Sequence, residues 1–140
     1  MILPNLLPAR AAQFCIAIGG VLLAAAMSAP QAKAQGVNIS GPWSGGGIVV
    51  YSDGRRERAR CRAHFSQSGP FVSLSATCAT PSGSVEQSAR LRKTGPNSFA
   101  GSFFNPQFNI SGSIHISVHG NSQSVSLRSR SGSASLTLHH

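Results

Sequence analysis

The sequence predicts an all-β fold: an antiparallel meander of about eight short strands forming a small barrel or a strongly curled sheet or sandwich, preceded by a signal-peptide helix. Apolar and polar residues alternate with a period of two through most of residues 43–140, and no stretch there carries an apolar stripe of period 3.6. Clusters of Gly, Pro, Asn and Ser punctuate that pattern at roughly ten-residue intervals, as turns between short strands do. No connection is long enough to hold a crossover helix, so consecutive strands pair antiparallel.

Residues 1–34 stand apart from this pattern. Arg10 supplies a positive n-region, "FCIAIGGVLLAAA" (residues 14–26) is an apolar run of 13, and Ala32-Lys33-Ala34 fits the small-residue cleavage rule. A membrane-spanning helix needs roughly 20 apolar residues, so the segment reads as a cleaved secretory signal and the mature chain as not membrane-spanning. The single Arg argues against a twin-arginine signal, and Phe14 before Cys15 argues against a lipoprotein site. Cleavage after Ala34 leaves 106 residues. That is one domain: an N-terminal segment at 35–42 and a single β-domain at 43–140, located in the periplasm or outside the cell.

The elements follow in order. The first strand, "GGIVVYS", ends at Asp53-Gly54, a dipeptide suited to a hairpin turn. In the second, Ala59, Cys61, Ala63 and Phe65 alternate with Arg58, Arg60, Arg62 and His64, which makes one face apolar and the other cationic. "QSGP" turns the chain into "FVSLSATCA", with Val72, Leu74, Ala76 and Cys78 on one side and Ser73, Ser75 and Thr77 on the other. Folding these strands about residues 69–70 sets Cys61 opposite Cys78, both inward. Loss of the signal removes Cys15, so the remaining pair is expected to form a disulfide, which chain entropy makes worth about 3 kcal/mol. Beyond "TPSG", the strand "SVEQSARLR" turns Val85, Ala89 and Leu91 inward. "KTGPN" precedes "SFAGSFFN", with Phe99 and Phe103 on one side. In "FNISGSIHISVHG", Ile110, Ile114, Ile116 and Val118 alternate with Asn109, Ser113, His115, Ser117 and His119. "GNSQ" and "RSGS" introduce the last two strands, "SVSLRS" and "ASLTLHH", and the terminal histidines read as a frayed end. The small inward residues Ala59, Ala63 and Ala76 allow either tight packing of opposite walls or an open cavity.

Charge is the second signal. The chain carries +9, or +7 without Arg10 and Lys33, the only carboxylates being Asp53, Glu57 and Glu86. Such a balance attracts polyanions. Strand pairing gives the outer rows Arg62–Thr77–Glu86 and His64–Ser75–Ser88. Arg58, Arg60, Arg62, Arg90 and Arg92 are therefore the candidate anion-binding residues, because guanidinium forks take phosphate and sulfate and interleaved hydroxyls add donors. Anionic envelope polymers and lipopolysaccharide are the partners this chemistry suits. The plainer reading is a solvated strand whose charges prevent edge pairing. There is no nucleic-acid recognition motif, and the face has few outward aromatics for stacking.

Catalysis has little to draw on. Glu57 and Glu86 sit among arginines, there is no GxSxG elbow, and His115 and His119 lie roughly 13 Å apart along a strand, too far for one metal. No catalytic, metal or cofactor site is expected, and the chain is expected to be a non-enzymatic monomer.

Two resemblances add to this reading. "WSGGG", "ARCRAHF", "SATCA" and the serine-rich end resemble a group of small secreted proteins of alphaproteobacteria, which implies export and brings no activity. Gly41-Pro42-Trp43 resembles the GxW that opens the first strand of calycin barrels and of the periplasmic inhibitors of secreted metalloproteases. That likeness implies that Trp43 plugs the barrel base under a late-strand arginine, Arg128 or Arg130. The leading expectation is an exported binding module with a basic anion-binding face. The alternative is a calycin-type carrier of small ligands, or a protease inhibitor acting through Gln35 to Ser40.

Overall fold

The computed structural model describes residues 36–140. The signal peptide expected at 1–34, with its helix, lies outside the described residues. Eight strands follow one another: β1 (Gly41–Tyr51), β2 (Arg56–Ser68), β3 (Phe71–Thr80), β4 (Gly83–Gly95), β5 (Ser98–Asn105), β6 (Ile110–His119), β7 (Ser122–Ser129) and β8 (Gly132–His139). Each pairs antiparallel with the next, and β8 returns to pair with β1 from Ser44↔His139 to Tyr51↔Gly132. The meander is therefore a closed barrel, and the closure removes both sheet edges.

The hairpins have the register that alternation predicts. Cys61 faces Cys78 and Arg62 faces Thr77 across β2 and β3, while Thr77 faces Glu86 and Ser75 faces Ser88 across β3 and β4. The Cys61–Cys78 disulfide joins the first of these pairs from the inside. Gly54, Gly69 and Gly120 occupy the tight turns with positive φ, where a side chain would strain the backbone.

The inward residues do not fill the barrel evenly. Trp43, Phe65, Phe99, Ile116 and Leu138 are buried and pack one end, which we call the base. The segment before β1 closes that base from below. Ile39 is fully buried, its N–H donates to Gln67 Oε1 at 2.9 Å, and Val37 N–H donates to the Pro96 carbonyl at 3.2 Å. Residues 36–40 are thus tied to the base of the barrel.

Candidate functional site

At the end opposite the base, the same alternation turns small residues inward: Ala59 and Cys61 of β2, Cys78 of β3, Val85 of β4 and Ala134 of β8. Eight strands hold the walls apart and these side chains are too short to meet. The result is an open cup of about 610 Å³, walled also by Val49, Phe103, Ile110, Leu127 and Leu136. Below it, between the disulfide and Phe65, lies a separate void of about 30 Å³. The walls are mainly apolar, with Asn105 buried near the mouth and one amide deeper in. Gln87 of β4 borders both the cup and the void, and its carboxamide oxygen is buried with no hydrogen-bond partner among the described residues.

The rim is polar. Tyr51, Thr80, Ser82, Ser129, Ser131 and Ser133 ring the opening with hydroxyls. Phe108, in the β5–β6 loop, stands there 57% exposed. Asn105 is buried beside it and accepts the Phe108 N–H at 3.3 Å. Arg55 lies over the Tyr51 ring, 4.4 Å from its centroid, and its Nε donates to Asp53 at 2.9 Å. Glu57 accepts from Tyr51 Oη at 3.0 Å and from the Ser82 hydroxyl. The Ser82 hydrogen bond is the main reason its carboxyl is held below the usual range, with Tyr51, Thr80 and Arg55 adding to the effect against desolvation. Asp53 is held low as well, first by the backbone N–H of Arg55 and then by its side chain. Glu57 belongs to the inward set of β2 and His64 to the outward set, so the two lie on opposite faces of the strand. Among the described residues no group of three or more His, Cys, Asp and Glu could hold a metal ion.

The candidate arginines lie on the outer wall. Arg58, Arg60 and Arg62 are successive outward residues of β2, all exposed. Arg90 and Arg92 are outward and exposed on β4, where Arg90 faces Ser73 and Arg92 faces Phe71. In register, Arg90 falls level with Ser66, four residues along β2 from Arg62 and two strands away, a separation of roughly 16 Å from standard strand spacings. The five cations therefore form a diagonal band with one gap. Arg92 packs over the Phe71 ring at 4.9 Å, and none of the five makes a salt bridge among the described residues, where only Arg55 does.

Trp43 is buried at the base, and its Nε1–H donates to the Ile39 carbonyl at 2.9 Å. The residue that covers it differs from expectation. Arg128 and Arg130 lie by the β7–β8 turn, at the open end, because β8 leaves that turn beside Tyr51. His140 takes the place over the indole instead, with ring centroids 4.8 Å apart and planes 12° from parallel. Its Nδ1 lies 2.9 Å from the Pro42 carbonyl, and its backbone N–H donates to the Asn121 carbonyl at 3.0 Å. The terminal histidine is docked, not frayed.

No family model matches the sequence, and no curated protein matches it either. Solved structures do resemble it in fold. A redesigned β-barrel, mFAP1, bound to DFHBI, is 14% identical with a TM-score of 0.61, covering 72% of this chain and 94% of that one. A fluorescence-activating β-barrel designed de novo is 14% identical with a TM-score of 0.57, covering 73% of this chain and 93% of that one. Rv2717c from M. tuberculosis is 15% identical with a TM-score of 0.50, covering 72% of this chain and 91% of that one. At these identities the likeness establishes the small closed barrel.

Proposed function

We propose that the protein is an exported, non-enzymatic binding module that takes a small, mainly apolar molecule into the cup of its barrel. The observation that carries this reading is the cup itself: about 610 Å³, open at one end, mainly apolar along its walls and sealed below by the Trp43 layer. Sites for small molecules have volumes of roughly 300–1,000 Å³ and combine apolar walls with a few polar groups. Burial of an apolar guest there releases about 25 cal/mol for each Å² removed from water. That a barrel of this fold is solved bound to DFHBI supports the reading. The disulfide and the leader-like sequence of residues 1–34 support an oxidising, exported compartment.

The test is titration with N-phenyl-1-naphthylamine, a neutral fluorophore that brightens in apolar surroundings. The wild type should give a saturable rise. Ala134→Phe, which fills the cup from β8 between Val49 and Leu127, should abolish the rise while keeping a cooperative melt. Equal responses from the two proteins would sink the reading.

A second reading is supported by the outer wall. The exposed Arg58, Arg60 and Arg62, with Arg90 and Arg92 beyond the gap, suit weak binding of anionic envelope polymers or lipopolysaccharide. The two readings use opposite faces of the same strands, so each can stand without the other.

A further inference from the structure

We infer that Gln87 makes the cup selective for guests that carry a neutral hydroxyl on the end that enters first. This inference deepens the cup reading and rests on it. Gln87 points inward at mid-height on β4, opposite Ala76 of β3 and between Val85 and Ala89. It borders the cup above and the small void below, so it forms part of the floor that an inserted guest would meet. Its neighbours there are apolar: the disulfide, Phe103 and Leu127 border the same two spaces.

Among the described residues, no group pairs with the oxygen of this carboxamide. Gln67, by contrast, receives the Ile39 N–H and donates to the Val37 and Gly69 carbonyls, tying down the base. The Gln87 oxygen is buried and has no such bond among the described residues. A buried carbonyl that gives up water and gains nothing is a cost, and Met or Leu would fill the position without it. A polar group kept at a cost beside a cavity suits a role toward a guest. Gln123 offers the instructive contrast. It is fully buried and both its amide atoms lack partners among the described residues, but it borders neither space, so no guest in the cup can reach it.

The chemistry of the guest follows from that of the floor. A carboxamide is neutral, accepts through its oxygen and donates through its nitrogen. Its last torsion is soft, so a half-turn exchanges the two. A hydroxyl, which both donates and accepts, satisfies either arrangement. A charged end does not suit the floor, because the one cation lining the cup, Arg55, is at the rim and already paired with Asp53. An ion on the floor would leave water without a counter-charge.

The test uses a matched pair, naphthalene and 1-naphthol, each displacing bound N-phenyl-1-naphthylamine. The wild type should prefer 1-naphthol by about five- to tenfold, the worth of one net hydrogen bond. Gln87→Leu should reduce the preference to about one, leave naphthalene binding at least as tight, and keep or raise the thermal midpoint. Gln87→Met serves the same purpose if the Leu variant folds poorly. A wild type without preference, a preference that survives in both variants, or fluorophore binding that neither compound displaces overturns the inference and leaves the cup standing. Failure of the wild type to bind the fluorophore at all is a different result, and it removes the cup reading itself.

Discussion

Gln123 is fully buried on β7, set between Val118 of β6 and Leu138 of β8, and neither amide atom has a partner among the described residues. Leaving such a group unpaired costs about 1–3 kcal/mol. Gln123→Met keeps the volume and removes the polar atoms, so it should raise stability by that order, read as a higher urea midpoint at constant slope. A lower midpoint would mean that Gln123 is held by interactions its buried place does not reveal. At the rim, Glu57 works in the other direction. Its folded pKa is lowered from the ordinary 4.5, mainly by the Ser82 hydroxyl. A lowered carboxyl contributes stability that is present above the ordinary value and is lost as pH falls through the folded one. Acid melting below about pH 4.5 should therefore be shallower in Glu57→Gln than in the wild type, with Asp53 supplying the remaining slope in both; indistinguishable curves would show that the rim cluster contributes nothing. Neither glutamine nor Glu57 was legible as a site. Extending the period of two from Val85 and Ala89 places Gln87 inward, but in a serine-rich chain an inward amide looks like a lapse in the alternation. Only the lack of a partner in three dimensions gives it meaning.

The β2–β3–β4 meander was legible in detail because tight turns leave little freedom of register. Once Gly69 closes one hairpin, Cys61 must meet Cys78 and Arg62 must meet Thr77. Removing the disulfide with Cys61→Ala and Cys78→Ala should cost about 3 kcal/mol, and the barrel should still form, since the hairpin ladder holds the same pairs; unchanged stability on reduction would refute the estimate. The seam between β1 and β8 was not legible, because it joins strands from opposite ends of the domain and no turn announces it. What permits the seam is Gly45 and Gly47, which read from sequence only as a break in β-propensity. A Cβ on Gly45 would run into the Thr137 carbonyl, and one on Gly47 into that of Ser135. Small residues there let β1 curl and let the β8 backbone approach. Gly47→Val should accordingly destabilise by about 1–3 kcal/mol or more. Amide exchange should quicken first at the β1–β8 pairs and not at β2–β3, whereas a uniform increase would place the strain elsewhere.

For the molecule as a whole, alternation alone assigns both walls but not the volume between them. Whether eight strands enclose a core or a cup depends on side-chain sizes summed around the ring at each height. Here the large members Trp43, Phe65, Phe99 and Ile116 gather at the base, and the small ones Ala59, Cys61, Cys78 and Ala134 line the cup above it. The outer wall is a separate matter, since residues 36–140 carry ten cations against three carboxylates. Two of the three carboxylates, Asp53 and Glu57, are engaged with Arg55 at the rim, so Arg58, Arg60 and Arg62 face solvent with little local compensation. Charges so placed bind polyanions by displacing counterions, and such binding weakens steeply with salt. Arg60→Ser with Arg62→Ser should elute from heparin and from immobilised lipopolysaccharide at clearly lower salt than the wild type. Folding should change by under roughly 0.5 kcal/mol, since both side chains are exposed. The same double variant should bind N-phenyl-1-naphthylamine as the wild type does, because its changes point away from the cup, and Ala134→Phe should keep the wild-type elution. If the double variant and the wild type leave both resins together at low salt, the arginines only solvate a strand, and the interior alone is the binding site.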